Sequence, residues 1–363
     1  MVSTIFTLAL VVFAIGLLIF LHELGHFVLA KREGVKVEEF GFGYPPRIFG
    51  KKIGQTLYSI NWIPFGGFVK IFGEQREEGE PKPGSFYSKS IWARVKIVLG
   101  GVVMFWVIAF LVLCSLHIIG VPTAIGDEDD FVNARVQILQ VASGSPADIA
   151  GFKAGDTIKK FSIFNFQFSI DKVEQLQNLT KEYAGQEVIL EIQRGAEVLE
   201  ISIIPRKNPP AGEGAMGIAL SRVAVIKYPW YKAIWQGAIQ TFNLTLAYVV
   251  SLAKIIGQLF STGKAAGVQL MGPVGMGHMS FQMARLGISY FLNFIVIISI
   301  ALAVCNLLPL PAIDGGKLLF LIVEKVKGSP VNIKFENAVN SVGFILLITL
   351  MLFITYKDIL RLF

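Results

Sequence analysis

The sequence predicts a polytopic α-helical membrane protein with four transmembrane helices, a cytoplasmic-side membrane-associated β segment and one extracytoplasmic α+β domain. Composition is the first reason, because 53% of the 363 residues are hydrophobic and only 16% are charged. The mean hydropathy is +0.61, whereas soluble domains carry about 25% charged residues. The other reasons are several long charge-free stretches and a separate, more polar region between them.

Four charge-free stretches are long enough to be transmembrane helices. They cover residues 2–21, 97–126, 286–313 and 337–356, and a helix needs about 20 apolar residues to cross about 30 Å of hydrocarbon. A fifth stretch, 233–253, is also uncharged but contains glutamine, asparagine and threonine.

Basic residues predict the orientation of these helices. Lys31 and Arg32 follow the first stretch, and Arg94 and Lys96 precede the second, whereas the loop after the second opens with GDEDD at 126–130. The positive-inside rule therefore predicts that loop 31–96 is cytoplasmic and that region 121–232 is outside. The net charge of +7 reflects this topology, and no nucleic-acid partner is predicted.

Two regions between the helices favour β structure. Residues 36–72 contain the runs TLYSINW and GFVKIF, which predict strands joined by turns on the cytoplasmic side. Residues 135–205 alternate like a small domain, and ADIAGFKAGDTI at 147–158 resembles a PDZ domain. Such domains bind an extended peptide at a sheet edge; the alternative is a β-rich spacer without a ligand.

A metal site is predicted near the end of the first stretch, where HELGH occupies 22–26. His22 and His26 are four apart, so they share one helix face. In this HExxH pattern two imidazoles bind zinc and the intervening glutamate, Glu23, is the general base. Such polar groups are costly inside a membrane unless they form a site; the alternative is a chance match or a structural polar cluster.

The third ligand is predicted to be Asp314, in NLLPLPAIDGG at 306–316, because a catalytic zinc normally has three protein ligands. Pro309 and Pro311 break the helix there. Asp314 can reach the histidines only if stretch 286–313 runs from outside to inside. We therefore predict that 230–262 is an interfacial amphipathic helix rather than a span.

The paired motifs resemble the site-2 protease family of intramembrane zinc metalloproteases, nearest to the bacterial branch typified by the regulator of sigma-E protease. The resemblance covers essentially the whole chain. It implies a zinc metalloendopeptidase that cleaves within the membrane segment of single-span membrane proteins, such as anti-sigma factors or signal-peptide remnants. The alternatives are a membrane metal transporter and a PDZ-based scaffold without activity.

The resemblance also assigns roles to individual residues. It implies one Zn²⁺ per chain held by His22, His26 and Asp314, with Glu23 activating water. It implies that the unwound substrate contacts Asn306, Pro309, Pro311, Tyr58 and Phe68. The chain departs from the family pattern in its second span, where Val102 and Phe105 stand at the usual proline and asparagine positions, and it carries one PDZ-like domain where many relatives carry two.

The predicted organisation follows from these assignments. The predicted segments are 1–32 (first helix with HExxH), 33–93 (β segment and cytoplasmic loop), 94–120 (second helix), 121–208 (PDZ-like domain), 209–284 (linker and interfacial helix), 285–317 (third transmembrane segment with Asp314) and 318–363 (cytoplasmic loop and fourth helix). The predicted location is the bacterial inner membrane, with both termini and the PDZ-like domain outside and the active site near the cytoplasmic side. Predicted partners are the substrate, a peptide or protein segment at the PDZ-like domain, and the lipid bilayer.

Overall fold

The computed structural model describes residues 2–75, 81–131, 133–195, 197–210, 212–262 and 271–362. Parts of the predicted segments 33–93, 121–208 and 209–284, namely 76–80, 132, 196, 211 and 263–270, lie outside the described residues. The chain divides into two compact units. The membrane unit comprises Met1–Cys114, Ile234–Ala284 and Phe291–Phe363, and the sheet unit comprises Ser115–Ala233 and Arg285–Tyr290.

The elements are numbered along the chain. The helices are α1 Val2–Arg32, α2 Ile91–Ile119, α3 Pro146–Ala150, α4 Val173–Glu182, α5 Trp230–Thr262, α6 Pro273–Leu286, α7 Ile288–Leu307, α8 Asp314–Lys327 and α9 Ile333–Leu362. The strands are β1 Val37–Ile53, β2 Thr56–Ile71, β3 Val121–Ile125, β4 Arg135–Val141, β5 Thr157–Ile163, β6 Phe166–Ser169, β7 Val188–Arg194, β8 Glu197–Ile203 and β9 Ile218–Ile226.

Five helices of the described residues are long and apolar enough to cross a membrane: α1, α2, α5, α7 and α9. The mean hydropathy of their most apolar windows ranges from 1.4 in α5 to 2.9 in α2. These helices agree with a multi-pass membrane protein. The number exceeds the predicted four because α5 also qualifies.

Helix α5, in the region predicted to be interfacial, packs beside α2. The indole N–H of Trp106 on α2 donates to Thr245 Oγ1 at 3.2 Å. Eight residues away on each helix, a Cβ on Gly237 would lie 2.6 Å from Cys114 Sγ. Because the two contacts advance in opposite directions along the helices, α5 runs antiparallel beside α2.

The interfacial prediction assumed that a crossing by α5 would leave Asp314 on the wrong side. At the start of α6, however, the backbone N–H groups of Gly272 and Gly275 both donate to Asp358 Oδ2 at 2.8 Å. Asp358 lies near the end of α9, the end remote from the loop that precedes Asp314. Helix α6 therefore begins beside the end of α9 that is remote from the loop before Asp314.

Close contact between α1 and α2 organises the membrane unit. A Cβ on Gly25 would lie 2.2 Å from Gly100 O, and a Cβ on Gly100 would lie 2.7 Å from Gly25 O. The two backbones therefore touch, as small residues permit between membrane helices. Helix α7 joins this pair where Ser299 Oγ donates to Phe105 O at 2.8 Å. The surrounding buried side chains include Val11, Leu18, Val102, Phe291 and Ile295.

Strands β1 and β2 form a hairpin that folds back on itself. The two runs predicted as separate strands, TLYSINW and GFVKIF, belong to one continuous strand, β2. Because Phe40 pairs with both Val69 and Tyr58, the first half of β1 lies between the two halves of β2. The second half of β1 pairs with the start of β2. The resulting sheet exposes large side chains such as Trp62, which is 68% exposed.

The sheet unit contains a seven-stranded sheet in the order β3-β9-β4-β5-β7-β8, with β6 paired to β5. Its core is apolar and includes Ile138, Ile158, Phe161, Leu176, Leu190 and Ile192. The fully buried Asp156 carboxylate accepts two hydrogen bonds of 2.7 Å from the Arg194 guanidinium. These hydrogen bonds raise the pKa of Arg194 above its usual value and join the loop before β5 to the end of β7.

The short segment Arg285–Tyr290, between α6 and α7, belongs to the sheet unit. Tyr290 and Gln137 exchange side-chain hydrogen bonds of 2.8 and 3.0 Å. Gly155 lies against Leu286, since a Cβ there would come within 2.4 Å of a Leu286 methyl carbon. This junction therefore packs with the sheet rather than serving as a loose connection.

The glycine contact between α1 and α2 yields a stability prediction. Gly25→Ala places a methyl group against the Gly100 carbonyl, so we expect a loss of about 1–3 kcal/mol in the free energy of unfolding. Thermal unfolding in detergent micelles measures the change. Gly257→Ala on α5 is the control, because a Cβ there meets no atom of the described residues within 4 Å and alanine favours helix by about 1 kcal/mol. Equal thermal unfolding midpoints for Gly25→Ala and Gly257→Ala would contradict the contact between Gly25 and Gly100.

Candidate metal centre

His22 and His26 lie one turn apart on α1, and both are 8% exposed. Their ring centroids are 4.7 Å apart and the rings are nearly perpendicular, at 86°. The pattern of four-residue spacing therefore brings both imidazoles to the same buried face, as the helical period requires.

The acidic residue comes from the break between α7 and α8. Helix α7 ends at Leu307, ahead of Pro309 and Pro311, and α8 begins with Asp314. Proline at these positions cannot continue the hydrogen-bonding pattern of α7. The backbone N–H of Ala312 lies 3.3 Å from Asn340 Oδ1 on α9, to which it donates a hydrogen bond.

Two glycines bring the loop against the first turn of α8. A Cβ on Gly315 would lie 1.9 Å from Leu308 O, and a Cβ on Gly316 would lie 2.3 Å from Leu310 O. No other residue leaves room for this approach. The DGG sequence is therefore required by backbone packing, which holds Asp314 beside the histidines.

Three ligand-type atoms meet at this point. His22 Nε2 and His26 Nε2 are 3.2 Å apart, and Asp314 Oδ2 lies 3.4 and 3.3 Å from them. Tetrahedral zinc with bonds of about 2.0–2.1 Å separates its ligand atoms by about 3.3 Å. The three atoms thus form one face of a tetrahedron of the size that zinc requires.

The chemistry of these groups also fits a zinc ion. Two imidazole nitrogens and one carboxylate oxygen are a donor set that catalytic zinc uses. Asp314 Oδ2 is buried, yet it makes no well-directed hydrogen bond, although both histidine Nε2 atoms lie close to it. The three atoms lie within 3.4 Å of one another, and a cation held between them would give the Asp314 oxygen a partner.

The two imidazoles are oriented by different contacts on α2. His26 Nδ1 lies 2.9 Å from the Ile97 carbonyl oxygen, which fixes the ring by a hydrogen bond. His22 stacks on Phe105, with centroids 4.5 Å apart and an angle of 17°. Gly101 allows both rings to approach, since a Cβ there would lie 2.1 Å from His26 Nε2.

Sequence reasoning missed these supporting residues. Phe105 was noted only as a departure from the family pattern, and a backbone carbonyl such as that of Ile97 leaves no trace in a sequence. The glycine pair at 100–101 within an apolar helix was the available signal, because such a pair permits close backbone approach.

Glu23 directly follows His22 in the sequence, and in the structure its carboxylate contacts the hairpin. The backbone N–H of Val69 on β2 donates to Glu23 Oε2 at 3.2 Å. A peptide bound as an added strand on this part of β2 would therefore lie beside the Glu23 carboxylate. The hairpin and the metal centre therefore share one residue.

The other predicted contact residues lie near these elements, but the metal-centre trio does not include them. Asn306 Nδ2 donates to Leu302 O at 2.9 Å, within α7. Pro309 is exposed, and Pro311 packs against Gly343 of α9. The two predicted hairpin contacts are aromatic: the Tyr58 ring lies 5.9 Å from that of Phe27 on α1, and the Phe68 ring lies 6.2 Å from that of Tyr44.

Comparison with known proteins gives a consistent result. The model of Peptidase family M50 matches residues 10–350. A Clostridium perfringens relative is 34% identical over 348 residues, covering 96% of each chain. The regulator of sigma-W protease RasP of Bacillus subtilis is 29% identical over 428 aligned positions, covering 96% of this chain and 97% of the relative. Protease RseP of Yersinia pestis is 28% identical, with 100% of both chains covered.

These matches extend over nearly the whole chain and include both motifs. They confirm the resemblance to the site-2 proteases, the metalloendopeptidase activity and the zinc dependence predicted with it. A metal transporter and an inactive scaffold do not agree with them. The chain belongs to peptidase family M50.

Proposed function

We propose that His22, His26 and Asp314 hold one zinc ion and that Glu23 is the general base for cleavage of a peptide bond within a membrane. The observation that carries this assignment is the meeting of the three ligand atoms at 3.2–3.4 Å, although Asp314 is far from the histidines in sequence. A zinc ion there supplies Lewis acidity, which polarises a carbonyl group and makes water more acidic.

Glu23 handles the proton in this proposal. Its Oε2 is held by the Val69 N–H, and Oε1 takes a proton from the attacking water. The same carboxyl group then delivers the proton to the amine that leaves when the peptide bond breaks. Glu23 is half-buried, so its carboxyl group lies close to the scissile peptide bond and can still be reached by water.

The hairpin would receive the substrate as an added strand. A transmembrane helix must unwind locally before hydrolysis, and its freed N–H and C=O groups need partners that hydrocarbon cannot provide. Pairing with β2 beside Val69 satisfies such groups and brings the strand to Glu23. In this arrangement Tyr58 and Phe68 contact substrate side chains, while Asn306, Pro309 and Pro311 contact the substrate from the α7–α8 loop.

We assign substrate screening to the sheet unit, as a PDZ-like domain. The stretch at 147–158 that resembles PDZ domains includes Gly155 and Asp156, which fix the loop before β5 as described above. One edge of β9 pairs with β3 over Arg222–Ile226, and this pairing does not extend to Ile218–Ser221. That part of β9 is the edge we assign to an extended peptide or protein segment.

The substrate class follows from the relatives. The Bacillus subtilis relative is named regulator of sigma-W protease, a name that connects it with the control of a sigma factor. We infer that this chain cleaves single-span membrane proteins of that kind, such as anti-sigma factors. Signal-peptide remnants are the second substrate class that the same chemistry accepts, because they too are short apolar spans.

The proposed topology follows from the basic residues beside α1 and α2. The predicted domain boundaries are retained, except that α5 lies beside α2 within the bacterial inner membrane. Both termini and the sheet unit lie outside, and the metal centre lies toward the cytoplasm. The exposed aromatic residues of the hairpin, such as Trp62, suit the membrane–water interface.

Glu23→Gln tests the proposed base. We expect cleavage of a single-span substrate in proteoliposomes to fall by about 10²–10⁴-fold, because general-base catalysis is lost, while bound zinc stays unchanged. Glu33→Gln is the control, since Glu33 forms a surface ion pair with the exposed Lys96. Full activity of purified Glu23→Gln would exclude this role.

Zinc content tests the ligand set. After size-exclusion chromatography, wild type is expected to retain one zinc per chain, whereas Asp314→Ala retains little because a carboxylate ligand is missing. Metal analysis by mass spectrometry gives the ratio. The exposed acid variant Glu128→Gln should match wild type. Undiminished zinc in Asp314→Ala would remove this residue from the site.

Cysteine labelling tests the topology. With Cys114 and Cys305 replaced by alanine, Gln177→Cys in the sheet unit is expected to react with a membrane-impermeant maleimide on intact bacterial spheroplasts. Lys51→Cys and Ser261→Cys are expected to react only after lysis. Labelling of Lys51→Cys in intact spheroplasts would show that the orientation is the reverse of the one proposed. Labelling of Ser261→Cys but not of Lys51→Cys would show that α5 lies at the outer surface.

A further inference from the structure

A cavity of about 760 Å³, lined by both polar and apolar side chains, adjoins the loop that carries Asp314. Ligand pockets in proteins have volumes of roughly 300–1,000 Å³, so the cavity has the size of a binding site. Its lining includes Glu74, Ala312, Lys317, Asn337 and Ser341. None of these is part of the proposed zinc and base assignment.

One face of α9 supplies the polar side of this cavity. Asn337, Asn340 and Ser341 follow helical spacing and all line it. At the same level the other face of α9 is apolar, and Ala338 and Val342 line a separate groove with Leu310 and Pro311. Phe344 and Ile345, one turn further along α9, add apolar surface to the same cavity, so this helix offers both hydrogen-bonding groups and apolar contacts.

The cavity also adjoins the end of the hairpin. Val69 donates to Glu23, and Glu74, five residues later, lines the cavity. At about 3.3 Å per residue, these positions are at most about 16 Å apart along the chain. Lys317 Nζ pairs with Glu74 Oε1 at 2.5 Å, which joins this end of the hairpin to the first turn of α8.

The charged groups around the cavity are largely paired with one another. Besides the Lys317–Glu74 pair, the Arg94 guanidinium donates to both carboxylate oxygens of Glu324 at 2.6 and 2.9 Å. Tyr87 Oη donates to Glu336 Oε1 at 3.1 Å. Paired charges favour a neutral ligand over an ion, and the apolar part of the lining can contact the side chains of such a ligand.

We propose that this cavity binds the unwound substrate segment that flanks the scissile bond on the Glu74 side, with Asn337 and Ser341 hydrogen-bonding its backbone. Side-chain amide and hydroxyl groups both donate and accept, so they match peptide N–H and C=O groups. The inference rests on the proposed function, because the segment in the cavity continues the substrate strand that is proposed to pair with β2. It adds two residues that determine substrate affinity without touching the reacting atoms.

Site-specific crosslinking tests the location. The protein carries Glu23→Gln with both native cysteines replaced by alanine, and Ser341→Cys is added. The probe is a synthetic single-span peptide of about 30 residues, whose cleavage site is first mapped with wild type, with one cysteine at successive positions. We expect disulfides about four to six residues from the scissile bond, on one side only. Val342→Cys, on the other face of α9, is the matched control and should not crosslink at these positions.

Kinetics test the contribution to binding. With the same peptide, Asn337→Leu and Ser341→Ala are each expected to raise KM about three- to ten-fold, as expected for loss of one hydrogen bond, with kcat within about two-fold of wild type. Val342→Leu should change neither constant.

The outcomes separate the two proposals. If wild type cleaves no single-span peptide, the proposed function fails and the cavity assignment fails with it. If wild type cleaves the peptide but Ser341→Cys forms no crosslink and both KM values are unchanged, the cavity holds only water and this inference alone is overturned.

Discussion

The close contact of α1 and α2 at Gly25 and Gly100 is the constraint on which the metal centre depends. With the backbones touching, the Ile97 carbonyl can reach His26, and Phe105 can stack on His22. The next residue, Gly101, then leaves the space that both imidazoles occupy. A single methyl group at any of these glycines would separate the two helices, so the ligand positions are set by the absence of side chains as much as by the ligands.

The metal centre also joins a helix, whose backbone hydrogen bonds are satisfied internally, to a hairpin, whose strand edges need other partners. Helix α1 is apolar up to its histidines, and the hairpin contacts it at Glu23; within a membrane, strand edges are tolerated only where protein or water covers them. Glu23 is bonded to that hairpin through Val69, and Lys317 is bonded to its end through Glu74. The helices, the hairpin and the residues proposed for catalysis are therefore parts of one arrangement rather than separate modules.

Much of this arrangement could be predicted from local patterns. HELGH and the proline-broken DGG stretch pointed to His22, His26 and Asp314 because their spacing and chemistry are local properties. The position of α5 could not be predicted, since its antiparallel packing on α2 depends on two contacts between residues more than 120 positions apart. The same holds for the contact of Gly272 and Gly275 with Asp358, which lies more than 80 positions further along the chain.

The junction at 285–290 has a consequence for engineering this protein. Although the sheet unit is nearly continuous in sequence from Ser115 to Ala233, Leu286 and Tyr290 complete its surface at Gly155 and Gln137. A chimera that exchanged only the continuous stretch would leave Tyr290 without its amide partner and Leu286 facing an unmatched loop. Exchange with a relative would preserve this packing only if both pieces were transplanted together, and evolution is expected to vary positions 137 and 290 as a pair.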